Sequence, residues 1–497
     1  MIRTSISIPA VLGLTLLPLS AMAAKECPPG LEADAPAGPA SIEQSDINGG
    51  ALTFAEISDH GQAMFDARWN RCDGSGRPYT TGGGAPRNLP TIVGSEEGEP
   101  ISAGQMEKLR TSAPDSDACA GCHNQPEAGG AGDFVANVFV LSQTLDPVSL
   151  SVSPTRTLNR NTLGMHGSGG IEMLTREMTN DLQTAAAGLP DGVHTISSKG
   201  VDFKIEISGG EVVATDGGID HDLIVKPFHQ AGRVISLREF STNAMNHHHG
   251  MQAEERFDLN PGKVGEAWNG NDADHDGDGM ERELTLGDQT AISIWQAQLD
   301  APQQIKPKKG PERDMADHGE KVFDDIGCTS CHVPALTLNS THFVEPNPFN
   351  PPGTCASAAE GCPDYSFDLT KHGFKKNADG TISVRAYTDL KRHNLCDDET
   401  DPDPIRFYCN ELLGMGRAMD SFDNKPGTEY FLTRKLWDVG NTAPYGHRGD
   451  VSTITEAILF HGGEGRASRD AFAAASVEDQ KAVVTFLKTL QIVPDAN

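Results

Sequence analysis

The chain has 497 residues, of which 37% are hydrophobic and 22% are charged, with 53 glycines and 31 prolines. This length exceeds one ordinary domain, and the composition permits buried cores but excludes a coiled coil or a bundle of membrane helices. Seventy acidic residues against 40 basic ones give a formal charge of −30, which disfavours nucleic acid and anionic lipid as partners.

Residues 1–23 have the pattern of a secretory signal peptide. Arg3 supplies a positive charge, residues 6–19 are almost uncharged, and Ala21-Met22-Ala23 is the small-x-small pattern that signal peptidase reads. Cleavage before Ala24 is predicted rather than a retained anchor, because the apolar run is short and contains two prolines. No later stretch is apolar for long enough to span a bilayer. We therefore expect a mature protein that is periplasmic or otherwise secreted.

The chain contains two copies of the motif C-x-x-C-H, namely Cys119-Ala120-Gly121-Cys122-His123 and Cys328-Thr329-Ser330-Cys331-His332. At this spacing two thiols can form thioether bonds to the vinyl groups of a haem while the histidine binds the iron. The alternatives are a disulfide or a zinc site, but zinc needs two more ligands nearby and is disfavoured in an exported chain. We predict two covalently bound c-type haems with His123 and His332 as proximal ligands.

The first half of the mature chain is predicted to be an N-terminal domain, residues 24–300. Met64, Phe65 and Trp69 suggest its opening helix. Hydrophobic and polar residues alternate from 201 to 207, and Gly209-Gly210 then marks a turn before Val212-Val213. This pattern predicts a β-hairpin inserted in a mainly helical domain.

An acidic loop in the same domain matches the calcium-binding pattern D-x-[DN]-x-[DN]-G-x5-E. The alternating carboxylates can point inward, the glycine allows the turn, and the closing glutamate can bind in a bidentate manner. A shifted frame, Asp274, Asp276 and Asp278 with Gly279, lacks the acid at its twelfth position, and a solvated acidic loop is the other interpretation. We predict a structural calcium site, with candidate ligands Asp272, Asp274, Asp276, Asp278 and Glu283.

Residues 301–314 are rich in Pro, Lys and Gln and predict a linker to a C-terminal domain, residues 315–497. Val322 and Ile326 share one face of a helix that leads into the second C-x-x-C-H motif. A helix after Ser476 has an apolar stripe that is suited to pack against this first helix. Residues 338–428 carry many Pro, Asp and Gly and are predicted to be a loop-rich insertion.

Six cysteines lie outside the haem motifs, an even number that suggests disulfides in an exported protein although fifteen pairings are possible. Proximity in the sequence favours Cys355–Cys362 and Cys396–Cys409. This choice leaves Cys27–Cys72 by elimination.

The chain resembles the bacterial di-haem cytochrome c peroxidase superfamily, in particular its di-haem oxidoreductase branch, often labelled thiol oxidoreductase-like. Besides both haem motifs, four segments carry the resemblance: Gly164–Glu172, Gly232–Phe240, Asp274–Asp288 and Leu436–Gly463. The resemblance covers most of the mature chain. It implies a mainly α-helical fold of two cytochrome c-like haem domains, here with long loops and a small inserted β-hairpin. It also implies one electron-transfer haem and one haem that reacts with peroxide or a related oxidant.

The resemblance also bears on the sixth ligand of each iron. Thr453 and Glu456 predict a capping box for a helix from Ile454 to His461. The resembling peroxidases place the axial methionine of the C-terminal haem at the end of this helix, where this chain has His461. We predict His332/His461 coordination, with His447 as the rival candidate.

The resemblance points to residues 246–251, Asn-His-His-His-Gly-Met, as the distal side of the N-terminal haem. Many relatives carry a Glu-Met pair here, whose glutamate works as an acid–base group on peroxide. A histidine can do this near neutral pH, so we predict His248 first and His249 second. One of these histidines or Met251 could instead bind the iron, and Arg233 resembles an arginine that lines the same pocket in relatives and could polarise bound oxygen.

The sequence therefore predicts an exported peroxidase-like enzyme that passes electrons from the C-terminal haem to a reactive N-terminal haem. The alternatives are a di-haem electron carrier without turnover, and an oxygenase or cofactor-maturation enzyme on the same scaffold. The acidic charge suggests a small basic donor protein, a cytochrome or a cupredoxin. Relatives often place a tryptophan between the haems after the first motif, but no tryptophan occurs here between Trp69 and Trp268. A relay would need Trp268, Trp295 or Trp437.

Overall fold

The computed structural model describes residues 38–75, 116–137, 159–257, 280, 282–357, 362, 364–409 and 429–494. The predicted signal peptide, Cys27, Trp268 and the four aspartates predicted to bind calcium lie outside these residues. Within the described part of the chain, no helix is both long enough and apolar enough to cross a membrane.

Eleven α-helices, labelled α1 to α11 in chain order, lie in the described residues. Their bounds are Gln44–Asn48, Phe54–Asp66, Cys119–Cys122, Ser168–Ala186, Leu237–Ala244, Glu254–Phe257, Leu286–Gln298, Pro311–Asp325, Ile454–Leu459, Arg466–Ala474 and Val477–Leu487. A π-helix, Met245–His249, continues directly from α5.

Thirteen strands, β1 to β13, lie in the same described ranges. Their bounds are Gly132–Asn137, Asn159–Thr162, Gly192–Ser198, Val201–Ser208, Glu211–Thr215, Gln303–Gln304, Leu336–Leu338, His342–Glu345, Tyr365–Asp368, Ile382–Val384, Arg392–Asn394, Tyr430–Leu432 and Leu490–Gln491. All pairings between them are antiparallel: β1–β2, β3–β4–β5, β6–β13, β7–β10, β8–β9 and β11–β12.

The prediction of a mainly α-helical fold of cytochrome c-like domains is wrong, because the described chain mixes helices with six small sheets. Most of these strands have only two to five residues, too few to show a period of two in the sequence. The predicted hairpin is present as β4 and β5, with every second residue of β4 buried. It belongs to a three-stranded sheet, because β3 pairs with β4 from Val201 to Ile207.

Helices α8 and α11 pack against each other beside the second C-x-x-C-H motif, as their apolar stripes predict. Val322, Phe323, Val483 and Phe486 are buried in one hydrophobic cluster between them. Gly319 allows the close approach, since a Cβ atom at this position would lie 1.8 Å from the carbonyl oxygen of Ala482. This helix pair therefore holds the segment from which the motif emerges.

The largest hydrophobic core joins residues from both sides of the predicted linker. Ile171 and Phe203 precede the linker and Leu338 and Phe374 follow it, and all four are buried in the same cluster. Two residues of the predicted linker, Gln303 and Gln304, form β6 and pair with the strand at residues 490–491. The two halves are therefore joined by packing as well as by the covalent chain.

A buried ion-pair network also connects the two halves. The side chain of Arg238 is fully buried and donates from Nε to Glu255 at 2.8 Å and from Nη1 to Glu345 at 3.3 Å. Glu345 lies on β8, after the linker. A buried charge needs a partner to offset its loss of hydration. The network therefore constrains how the two halves meet.

The structure contains the disulfide Cys355–Cys362, with an S–S distance of 2.09 Å. Cys72 and Cys396 are also disulfide-bonded. Cys27 lies outside the described residues and nothing is described of the Cys409 side chain, so these two pairings stay predictions.

Candidate functional site

Both C-x-x-C-H motifs line one cavity of about 620 Å³. Every thiol and histidine of the two motifs contributes to its wall, although about two hundred residues of chain separate them. The cavity is also lined by five further residues singled out from the sequence: Arg233, His248, His249, His447 and His461.

The first motif forms the single turn of α3, followed by His123. The Nδ1 atom of His123 lies 3.0 Å from the carbonyl oxygen of Leu163 and 3.3 Å from that of Gly130. Donation from Nδ1 to these carbonyls leaves the Nε2 lone pair for a metal. Burial lowers the pKa of His123 to about 4, and the neighbouring His248 adds to this effect. His123 is therefore held as a neutral imidazole, the form that binds iron.

The second motif forms a 3₁₀ turn and repeats this arrangement. The Nδ1 atom of His332 lies 3.1 Å from the carbonyl oxygen of Tyr387, which again leaves Nε2 for a metal. Burial lowers the pKa of His332 to about 4, and the nearby His461 contributes. Tyr387 is itself fixed, because its hydroxyl donates to Glu320 on α8 at 3.0 Å.

His461 follows helix α9, which begins with the predicted capping box of Thr453 and Glu456. The helix ends at Leu459 rather than at His461. The Nδ1 atom of His461 lies 2.8 Å from the carbonyl oxygen of Ala457, so the Nε2 lone pair is available on the cavity side. Arg469 donates to the carbonyl oxygen of His461 at 3.1 Å and so fixes this loop.

The π-helix brings His248 and His249 to the first motif in different ways. Nδ1 of His249 lies 2.8 Å from the carbonyl oxygen of Ser116, and Nε2 lies 3.2 Å from Sγ of Cys119. Both nitrogens of this buried ring are therefore engaged beside a thiol of the first C-x-x-C-H motif. His248 lines the cavity and interacts electrostatically with His123.

The two remaining candidates for axial ligands occupy different surroundings. Met251 is completely buried in a hydrophobic cluster with Met64 and Trp69 and is not among the residues that line the cavity. His447 does line the cavity, where its ring lies 5.0 Å from that of Phe431 and 5.6 Å from that of Tyr408.

Of the candidate calcium ligands, only Glu283 lies in the described residues. Its carboxylate is buried, and Oε2 accepts a hydrogen bond from the backbone nitrogen of Gln252 at 2.6 Å. The end of the acidic loop is therefore attached to the segment that follows the π-helix.

Trp295 and Trp437 are both buried. The ring of Trp295 lies 4.4 Å from that of Phe65, which in turn lies 6.2 Å from His123. Trp437 packs at 6.3 Å against Phe374. Neither tryptophan lines the cavity.

Sequence reasoning missed several residues of the cavity wall: Glu239, His393, Tyr408, Lys435 and Arg469. Burial raises the pKa of Glu239 to about 6, although its carboxylate accepts a hydrogen bond from the backbone nitrogen of Ile235. His393 bridges two carboxylates, with 2.8 Å from Nε2 to Asp389 and 2.7 Å from Nδ1 to Glu464. Glu239 lies within the segment Gly232–Phe240 quoted above, where its role was not recognised, and the other four residues belong to no short motif.

The residues present fit haem. Two neutral histidines offer Nε2 to one cavity, and a further histidine lies near each of them. Burial raises the pKa of Cys119 and of Cys328 to about 12, and both thiols lie in the wall of the cavity. The chemistry of the donor set is thus that of a protein with two haems.

This arrangement defines a class, the di-haem redox proteins. Residues 409–490 match the family model described as "Di-haem oxidoreductase, putative peroxidase". The match includes His447 and His461, confirms the resemblance predicted from the sequence and supports a di-haem oxidoreductase with haem cofactors.

No curated protein matches the chain. One solved structure with a similar trace is Kuenenia stuttgartiensis hydrazine synthase pressurised with 20 bar xenon. It is 11% identical, the alignment covers 98% of this chain and 100% of that chain, and the TM-score is 0.35. A likeness this weak carries no argument about function.

Proposed function

We propose that this chain is an exported di-haem c-type oxidoreductase that reduces peroxide. The observation that carries the proposal is that both C-x-x-C-H motifs, His248 and His461 line the same cavity. The haems, attached through the four motif cysteines, would supply electron transfer and the cleavage of the O–O bond. The other roles in the proposed reaction belong to side chains of the protein.

We propose that His332 and His461 would both hold the iron of the C-terminal haem, which would close that site to substrate. Support comes from their mutual electrostatic interaction and from the Nδ1 hydrogen bonds, which leave Nε2 of each ring for the metal. A site with two strong ligands is suited to pass electrons rather than to bind substrate. Electrons would therefore enter at this site and pass to the site at His123.

At the N-terminal site we assign acid–base catalysis to His248. Reduction of hydrogen peroxide consumes two electrons and two protons and yields two water molecules. A nearby base takes the proton of one peroxide oxygen and returns it to the other, which leaves as water. His248 is favoured because it lines the cavity and interacts electrostatically with His123. Arg233, which also lines the cavity, would polarise the bound oxygen.

The electrons would come from a small basic donor protein, such as a cytochrome or a cupredoxin. The formal charge of −30 supports electrostatic attraction to such a partner. If this is the donor, its kcat/KM for reduction of the enzyme falls as ionic strength rises, whereas a small uncharged reductant shows no such dependence.

The decisive experiment combines a spectrum with a matched pair of variants. One haem of the purified oxidised or half-reduced protein should bind cyanide, and His248→Ala should lower kcat for peroxide by roughly 10²- to 10⁴-fold. His318→Ala, which removes an exposed imidazole that pairs with Asp479 on the surface, is the control and should keep the wild-type rate. Unchanged turnover in His248→Ala would refute the acid–base role. Two low-spin haems that bind no cyanide in any redox state would show an electron carrier instead.

A further inference from the structure

Lys435 is a buried cation in the wall of the cavity. It is only 8% exposed. Within the described ranges its Nζ atom makes no hydrogen bond or ion pair, and it lies over the ring of Phe228, 5.8 Å from the ring centroid. A cation–π contact at this distance compensates only part of the cost of removing an ammonium group from water.

The backbone around Lys435 is held firmly beside the second haem motif. The carbonyl oxygen of Thr433 accepts from Thr388 Oγ1 at 2.8 Å, and the nitrogen of Leu436 donates to Ala386 at 2.9 Å. These two bonds flank Tyr387, the residue whose carbonyl oxygen is bonded to His332. Phe228 reaches Lys435 from the other half of the chain. Lys435 is therefore fixed where the two halves meet at the cavity.

The surrounding charges do not satisfy this ammonium. Arg434 lies next to it in the chain, and Asp438, the carboxylate that stabilises its charged form, is itself paired with Arg434 at 2.9 Å. Burial, with a further contribution from Arg434, lowers the pKa of Lys435 to about 8. An anion bound in the cavity would offset this penalty and restore the charged form.

We propose that Lys435 binds a carboxylate inside the cavity. The inference rests on the proposed function, because the first source of such a carboxylate is a propionate side chain of a haem held there. The second source is a carboxylate of a small-molecule substrate. Both present the same chemistry to Nζ, a charge-assisted hydrogen bond in a water-poor site.

The experiment uses the holoprotein and two readouts that do not involve turnover. Lys435→Met removes the charge and keeps the length of the side chain, Lys435→Arg restores a cation, and Lys488→Met at an exposed position is the control. Intact mass reports whether both haems are attached, and a redox titration without substrate gives the midpoint potentials. Acetate, as a probe for a free carboxylate, is titrated at constant ionic strength and followed by calorimetry and by the haem spectrum.

If the carboxylate is a propionate, Lys435→Met lowers one midpoint potential and Lys435→Arg recovers most of the loss, while acetate has no effect on any variant. If the carboxylate belongs to a free ligand, acetate binds to the wild type and at least tenfold more weakly to Lys435→Met. In the absence of acetate, the midpoint potentials of Lys435→Met then equal those of the wild type. The proposal would be overturned if Lys435→Met and Lys488→Met had the same midpoint potentials and also bound acetate equally. Absence of haem mass, by contrast, would overturn the proposed function, and the calorimetric arm would still test Lys435.

Discussion

His461 holds its Nδ1 atom 2.8 Å from the carbonyl oxygen of Ala457, so the turn that ends helix α9 also orients the imidazole. Substitution of this residue by methionine tests its proposed role as an axial ligand. A thioether favours the reduced iron more than an imidazole does. We expect His461→Met to raise the midpoint potential of one haem by roughly 0.1 V or more, within the ~0.8 V that axial ligands can span. Redox titration followed by absorbance measures this change.

His318→Met serves as the control, because His318 is exposed on α8 and pairs with Asp479 away from the cavity. Its potentials should equal those of the wild type. If His461→Met also leaves both potentials and the low-spin signal unchanged, His461 is not a ligand, and His447 becomes the residue to replace next.

The buried Glu345 predicts a pH-dependent contribution to stability. Burial raises the pKa of Glu345 to about 7 against the effect of Arg238, and the carboxylate of Glu172 adds to the rise. Arg176 and Glu255 are the other charges of this network. The pKa of Glu345 is higher in the folded state than in the unfolded state. Its contribution to the free energy of unfolding is therefore fully present below about pH 4.5 and is lost as the pH rises through about 7.

Glu345→Gln cannot ionise and should not show this loss. Between pH 5 and pH 8 the free energy of unfolding of the wild type should therefore fall relative to that of the variant, by on the order of 1 kcal/mol for each unit of pKa difference. Denaturant titrations at several pH values measure the difference, and exposed Glu211→Gln is the control. A difference that stays constant with pH would contradict the prediction.

Removal of calcium should destabilise the protein if the acidic loop binds the ion. Glu283 ends this loop and is anchored to Gln252, so loss of the metal would loosen the segment behind the π-helix. A ligand present at 100 times its Kd stabilises the folded state by about 2.7 kcal/mol. We expect a chelator to lower Tm by several degrees and added calcium to restore it.

Asp274→Asn should abolish this response to the chelator, while Asp59→Asn, at an exposed position on α2, should keep it. A Tm that is the same with chelator and with calcium would rule out a structural calcium site in this loop.

The disulfide Cys355–Cys362 should stabilise the inserted segment. It closes a short loop, and the backbone nitrogen of Cys355 donates to Glu255 in the buried network at 3.1 Å. The chain-entropy model assigns a loop of this length about 2–3 kcal/mol. The double variant Cys355→Ser, Cys362→Ser should lose about that much free energy of unfolding in denaturant titrations. Ser357→Ala, in the same loop, should lose none, and an equally stable double variant would show that the bond contributes nothing.

Much of the chemistry could be predicted from short sequence patterns. The two C-x-x-C-H motifs, the capping box at Thr453 and the apolar stripes of α8 and α11 each lie within a few residues of chain. Their spacing follows from thioether geometry, hydrogen bonding at a helix start and the helical period. The alternation of hydrophobic and polar residues in β4 is also local and predicted a strand. Strands β7 and β11 have three residues each, too few for a period to be detected.

What the sequence predicted by itself was therefore the local chemistry: where haem is expected to be attached and which histidines are candidates to bind it. The tertiary structure alone decided that both motifs share one cavity, that His249 is engaged by Ser116 and Cys119, and that Lys435 faces inward without an acidic partner among the described residues. These facts depend on contacts between residues far apart in the chain. The local sequence around a side chain can be the same whether that side chain lies in a core, on the surface or in a cavity wall. Only the packing of distant segments distinguishes these locations.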